Sequence, residues 1–195
     1  MKKLSYCFRL LKILGFNYSE AEYGQISFFQ IVRKCSKTYK DIFLLKFVMN
    51  SWLLSPILPR KLRPAILRNI GCKVGTGVFI GEQVYIDSGY ANMIELEDNV
   101  HITARCLLLC HKRNIFHYRK GDDSSKLSYS KGKIHICKGA MIGMNTMIMP
   151  GVTVGEGAIV GAYSHVTQDI PAWTIAVGRP AKVVKIIPER KQSNQ

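Results

Sequence analysis

Five histidines, His101, His111, His117, His135 and His165, are the side chains of this 195-residue chain best suited to moving a proton near neutral pH. Imidazole, with an unperturbed pKa of about 6.5, can take the proton of an alcohol as that alcohol attacks an electrophile. Their settings differ. His111 closes Leu108-Leu109-Cys110-His111 and opens a polar, charged and aromatic stretch, HKRNIFHYRKGDDSSKLSYSKGK, inside which His117 lies. His101, His135 and His165 fall just before or within regularly spaced aliphatic positions and read as surface or corner residues. Six cysteines, at 7, 35, 72, 106, 110 and 137, form no C-x-x-C pair and no evident disulfide framework. They read as reduced, mostly buried side chains, and no metal site is expected.

The elements that must position these residues carry a period of six. Ile136, Ile142, Ile148, Val154, Val160 and Val166 recur in one register, often followed by Gly, with Ala, Thr, Val, Ala and Ser four positions after the first five. Neither the helical period of 3.6 nor the strand period of 2 gives this recurrence, whereas stacked hexapeptide coils of a parallel β-helix do. Each short strand then points an aliphatic side chain inward, and a bend follows. A second set, Val74, Ile80 and Ile86, then Leu96, Ile102 and Leu108, repeats the spacing with a ten-residue gap from Ile86 to Leu96 that marks a bulge or short loop. The pattern stops after Leu108 and resumes at Ile134 or Ile136, leaving a long loop over 111–133. Long loops in compact domains tend to be functional or disordered.

The fold class expected is an all-β solenoid with an N-terminal helical segment and a long loop interrupting the coils. Its parts are a basic amphipathic helical segment, 1–69, the hexapeptide-repeat domain, 70–178, and a basic tail, 179–195. In the first part Gly15, Asn17 and Gly24 are candidate breaks, and Pro56, Pro59 and Pro64 end the last apolar stretch before a short helix, PAILRNIG. The charge is +15 and uneven: residues 1–70 hold 13 Lys/Arg against 3 Asp/Glu, the rest 15 against 10. Such an excess suits nucleic acid, an anionic membrane surface or a phosphate-rich ligand. No nucleic-acid-binding motif accompanies it. Helices packed with a solvated cationic face account for it, and peripheral membrane contact through 1–64 fits as well. Lys46, Arg60 and Lys61 interrupt every apolar run before it reaches spanning length, and Arg9 and Lys12 break the apolar start of the chain, so the expected location is cytoplasmic, at most at the inner face of a membrane.

Three features together carry a resemblance: the hexad run, the coil LEDNVHI (96–102) before a His-led loop, and the ending VTQDIP…AVGRPAKVVK. Over about residues 65–187 the chain resembles the maltose/galactoside O-acetyltransferase branch of the hexapeptide-repeat acyltransferases. Its longer basic N-terminus is similar to members that modify polysaccharide precursors. The resemblance implies a left-handed parallel β-helix, a homotrimer with active sites between subunits, and acetyl-coenzyme A as acyl donor.

By the same resemblance His111 is the general base, with Asp87 in YIDSGYAN binding the acceptor beside it; Asn92 is the alternative acceptor ligand, and His117 could touch substrate. The backbone amide of Met144 faces the developing oxyanion. Ala162 and Thr167 fall on the pantetheine positions, Lys182 and Lys185 on those contacting the nucleotide end, with Arg179 beside them. The activity implied is O-acetylation of a sugar hydroxyl, within a cell-surface polysaccharide or its precursor. Alternatives are a streptogramin-type antibiotic O-acetyltransferase, a metal enzyme like the gamma carbonic anhydrases, which needs three histidines on zinc, and a non-catalytic binding solenoid.

Overall fold

Ile136, Ile142, Ile148, Val154, Val160 and Val166 are all sealed from solvent, as are Ile80, Ile86, Leu96, Ile102 and Leu108; only Val74, in the first coil, is half-buried. The computed structural model describes residues 4–16, 18, 20–51 and 58–190, so Asn17, Pro56 and residues 191–195 lie outside the described residues. Two compact units result, Met1–Leu44 and Leu45–Gln195. The second contains all the coils and begins well before residue 70.

In the first unit, α1 (Tyr6–Ile13) is capped by Ser5, whose Oγ accepts from the Phe8 amide at 3.2 Å, and Gly15 follows it in the left-handed region at φ +84°. A short α2 (Glu20–Tyr23) ends at Gly24, where a Cβ would come 2.5 Å from the Glu20 carbonyl oxygen. α3 (Phe28–Phe43) opens with a reciprocal capping box between Ser27 and Gln30.

The second unit leads through α4 (Arg63–Ile70), with Pro64 in its first turn and Gly71 ending it at φ +117°. Then come β1 (Lys73–Val74), β2 (Phe79–Ile80), β3 (Tyr85–Ile86), β4 (Ile94–Leu96), β5 (His101–Ile102), β6 (Leu107–Leu108), β7 (His111–Arg113), β8 (Tyr129–Lys131), β9 (Ile134–Ile136), β10 (Met141–Ile142), β11 (Met147–Ile148), β12 (Thr153–Val154), β13 (Ile159–Val160), β14 (His165–Val166), β15 (Thr174–Gly178) and β16 (Ala181–Ile186). Every third coil strand joins the same sheet. The first sheet is β1-β4-β9-β12, the second β2-β5-β10-β13-β15-β16, the third β3-β6-β11-β14. Apart from β15–β16 these pairings are parallel, so the chain visits three faces per coil.

The register stacks the hexad positions. Ile80, Ile102, Ile142, Val160 and Ala176 form one column, and Ile86, Leu108, Ile148 and Val166 another. Ala140, Thr146, Val152, Ala158 and Ser164, the small residues four places on, are buried too, so each hexad sends two side chains inward rather than one. Small size is required there because the corner closes around them. Thr146 and Ser164 answer burial of their hydroxyls by donating to the Gly161 carbonyl at 3.1 and 2.7 Å. Glycine after the aliphatic has a related cause: a Cβ at Gly81 would lie 2.6 Å from the Ala104 amide nitrogen of the next coil.

Two insertions break the coils. The ten-residue gap is a 3₁₀ segment, Ser88–Met93, between β3 and β4. The long loop is partly ordered by its own pairing: β7 and β8 form an antiparallel hairpin, His111 opposite Lys131. The C-terminal segment also differs from a tail. Gly178, at φ +104°, turns the chain so that β16 pairs antiparallel with β15 and closes the second sheet.

Candidate active site

Asp87 and His111 are 24 residues apart in sequence, yet each leaves a strand of the third sheet on adjacent coils. The β3–β6 register, Ile86 opposite Leu108, sets Asp87 beside the 109–111 segment. Asp87 is buried, 7% exposed, and its Oδ2 lies 2.5 Å from His111 Nδ1 while accepting from the Cys110 amide at 3.3 Å. A carboxylate accepts, so Nδ1 carries the shared proton and Nε2 is left as the free acceptor. The His111 side chain keeps 34% exposure.

Two aromatic rings flank the imidazole. Tyr90, on the inserted 3₁₀ segment, has its centroid 5.0 Å away, and Tyr129, across the hairpin on β8, lies edge-on at 5.3 Å. A cation lies over each ring: Lys131 Nζ sits 4.9 Å from the Tyr90 centroid and the Arg113 guanidinium 4.3 Å from that of Tyr129. Sequence reasoning missed both tyrosines. Tyr90 stands three residues after Asp87, a signal that was readable; Tyr129 becomes adjacent only through hairpin pairing.

The neighbouring thiols are not nucleophiles. Burial, and next the charge of Asp87, push the Cys110 thiol up to about 11, and burial followed by Cys110 pushes Cys72 up to about 12. Neither supplies thiolate at neutral pH.

The other anticipated residues distribute as follows. Asn92 is exposed on the segment that carries Tyr90, with its backbone amide near Gly71. His117 is exposed beyond the hairpin, edge-on to Phe116 at 4.8 Å. Met144 and Ala162 stack at the corner between the second and third sheets, where the Tyr163 amide donates to the Met144 carbonyl at 2.8 Å and Arg179 Nε to the Tyr163 carbonyl at 2.7 Å. Thr167 is exposed just past β14, at the corner between the third and first sheets, on the side from which His111 departs. Lys185 pairs with Ile175 and Lys182 with Val177; because β16 carries one extra residue at a bulge, both lysines share the outward face of the second sheet. Within one chain, then, His111 and the Met144–Ala162–Arg179 group occupy different edges of the three-sided coil. Among the described residues His111, His117 and His165 enter no group with metal-ligand spacing; Glu97, His135 and Cys137 do.

Residues 133–168 match the family model for the bacterial transferase hexapeptide (six repeats). The Staphylococcus aureus (strain Mu50 / ATCC 700699) protein named "Putative acetyltransferase SAV2555" is 37% identical over 123 residues, covering 52% of this chain; the chain spans 59% of that relative's length. A 2,3,4,5-tetrahydropyridine-2,6-dicarboxylate N-acetyltransferase from S. aureus (strain bovine RF122 / ET3-1) is 58% identical over 45 residues, 23% of this chain and 19% of the relative. The fold is that of a maltose O-acetyltransferase from Clostridium difficile 630, with a TM-score of 0.57 at 22% identity, covering 84% of this chain and 90% of that one. It is shared too with the hexapeptide-repeat acetyltransferase VCA0836 from Vibrio cholerae, with a TM-score of 0.55 at 19% identity and coverages of 82% and 93%. With its hexads stacked coil on coil, the chain carries the bacterial transferase hexapeptide repeat over residues 133–168 and shares its fold with hexapeptide-repeat acetyltransferases.

Proposed function

We propose that this protein is a coenzyme A-dependent O-acetyltransferase that acetylates a sugar hydroxyl of a cell-surface polysaccharide or its precursor. The observation that carries the reading is the contact between buried Asp87 and His111 Nδ1. It turns the imidazole into a directed base: a hydroxyl hydrogen-bonded to Nε2 gives up its proton as its oxygen attacks the thioester carbonyl, and the imidazolium is balanced by the carboxylate. The C–S bond then breaks, and the departing thiolate recovers the proton from Nε2. Tyr90 and Tyr129 offer flat apolar walls on which a sugar ring can rest.

In this reading the coil winds left-handed and three copies assemble, so that the His111 edge of one faces the Met144–Ala162–Arg179 edge of the next. The Met144 amide meets the developing oxyanion. Exposed Ala162 and Thr167 leave room for the pantetheine arm. The fit to a polyanionic donor rests on the cations at the end of the coil: exposed Arg179, anchored through Nε, and Lys182 and Lys185 on one outward face. Asp87, and not Asn92, is the acceptor-side partner of the base. No described helix is long and apolar enough to cross a membrane. We place the enzyme in the cytoplasm, with the first unit offering Phe28, Phe29 and Phe43 at the surface of α3 beside its lysines for peripheral membrane contact.

The test is His111→Ala assayed for acetyl-coenzyme A turnover with a panel of free and polymeric sugars. Turnover should fall by about 10²–10⁴-fold with the fold intact; unchanged turnover removes the base and with it this reading.

A further inference from the structure

Outside the His111 site, the outer face of the first sheet brings together an oxygen, a nitrogen and a sulfur donor. His135 lies in β9 and Cys137 just after it, so both point outward while Ile134 and Ile136 between and before them point into the core. Glu97 follows the neighbouring strand β4, which β9 joins with Glu95 opposite His135 and Leu96 opposite Ile136. Backbone bonds hold the positions: the Glu97 amide donates to the Ile136 carbonyl at 2.9 Å, and the Cys137 amide to the Val154 carbonyl at 2.8 Å. Glu97 Oε1 is 2.7 Å from His135 Nε2, Cys137 Sγ is 4.0 Å from the same nitrogen, and the three donor atoms lie within 4.8 Å of one another. The second oxygen of Glu97 accepts from the Lys138 amide at 2.9 Å, which fixes the carboxylate plane.

A glutamate paired with a histidine alone is an ordinary surface ion pair. The third donor changes the chemistry. Tetrahedral zinc, with bonds of about 2.0–2.3 Å, sets its ligand atoms roughly 3.3–3.6 Å apart. Side-chain rotations of about 1 Å bring this triad to that spacing. Oxygen, nitrogen and thiolate together suit zinc or cobalt(II) and not magnesium or calcium.

We propose that Glu97 Oε1, His135 Nε2 and Cys137 Sγ form a zinc-class metal site with a fourth position open to water. Binding releases the thiol proton, and any proton shared between Glu97 and His135, to solvent. The site joins β4 to β9, the strands between which the chain leaves the coil to build the His111 hairpin. Its role is to brace the second coil to the third across that excursion. It takes no part in the proposed acyl transfer and stands independently of it.

The full-length chain, stripped with chelator, is titrated with cobalt(II) and then zinc. The expected result is a near-ultraviolet thiolate-to-cobalt band, displaced by one zinc per chain, and a higher unfolding midpoint with zinc. Cys137→Ser should abolish the band, and Cys137→Ser and His135→Gln should each weaken zinc binding by at least about tenfold. His111→Ala should bind as the unaltered chain does, which separates this site from the proposed base. Zinc should also protect Cys137 of the unaltered chain from alkylation, a readout that needs no variant to fold. Absence of the cobalt band, an unprotected Cys137, or undiminished zinc affinity in both variants overturns the proposal.

Discussion

Replacing Asp87 by Asn tests the geometry of the base more sharply than removing the base itself. The substitution keeps the side chain's size and one oxygen to accept from the Cys110 amide, now at 3.3 Å from Oδ2, so the fold has little reason to change. What disappears is the charge 2.5 Å from Nδ1 in a site where the Asp87 side chain is only 10% exposed. A charge-assisted hydrogen bond of this kind contributes roughly 1.5–3 kcal/mol, and the imidazolium of the transition state needs it more than the neutral ring does. At about 1.4 kcal/mol per tenfold, that alone predicts a loss of kcat of roughly 10–150-fold. In its other orientation, which gives up the Cys110 contact, the amide adds a second penalty: its NH₂ then donates to Nδ1 and leaves the proton on Nε2, where it blocks the incoming hydroxyl. Comparable tautomer reversal in serine proteases costs about 10⁴. The expected fall in kcat is therefore between about 10² and 10⁴, with the KM for acetyl-coenzyme A little changed. Thiol release, followed continuously with a chromogenic disulfide, measures both constants, and circular dichroism checks the fold. A variant that folds normally and keeps kcat within about threefold of the unaltered chain would refute the assignment of Asp87 as the residue that orients the base.

Lys182→Ala with Lys185→Ala should raise the KM for acetyl-coenzyme A with kcat largely retained, and should reduce the salt dependence of kcat/KM; an unchanged KM would detach the outward face of β16 from the nucleotide end. Ile142, fully buried between Ile102 and Val160, should cost about 2–5 kcal/mol when replaced by Ala, whereas Met141→Ala on the exposed side of the same strand should cost within about 0.5 kcal/mol, both by urea unfolding. Because burial raises the Cys72 thiol to about 12 from an ordinary value near 9.0, the folded state holds that proton more tightly than the unfolded chain. Its contribution is thus fully present below about 9 and fades as pH climbs toward 12, so stability should decline over that window and decline less in Cys72→Ala. In the native chain exposed Cys35 should be alkylated well before Cys72 or Cys110.

The repeat was legible because its signal is local. An aliphatic residue every sixth place, with turn-forming and small residues between, states where each strand points and where the chain bends, and the stacked columns obey it from Ile80 to Val166. The interruption after Leu108 was legible as a loss of that signal, though the β7–β8 pairing inside it was not: three-residue strands of HKR and YSK carry no pattern of their own. Residues 179–195 read as a basic tail for a similar reason. What draws 181–186 into the second sheet is the open edge of β15, and an edge is a property of the finished sheet.

The site divides along the same line. From sequence alone, His111 stood out as the residue at which the period stops, and Lys182, Lys185 and Arg179 as the cations beyond its end. Which of Asp87 and Asn92 lies against His111 is visible only in three dimensions, because the ten-residue gap between Ile86 and Leu96 shifts the alignment of every residue within it. The pairing of Ile86 with Leu108 removes that freedom and brings Asp87 Oδ2 to His111 Nδ1. Tyr129, and the meeting of Glu97 with His135 and Cys137, belong equally to the tertiary structure. Periodicity along the chain encodes which side chains face the core; contacts between coils depend on how many residues each excursion inserts, and that sum is settled only when parallel strands come into register.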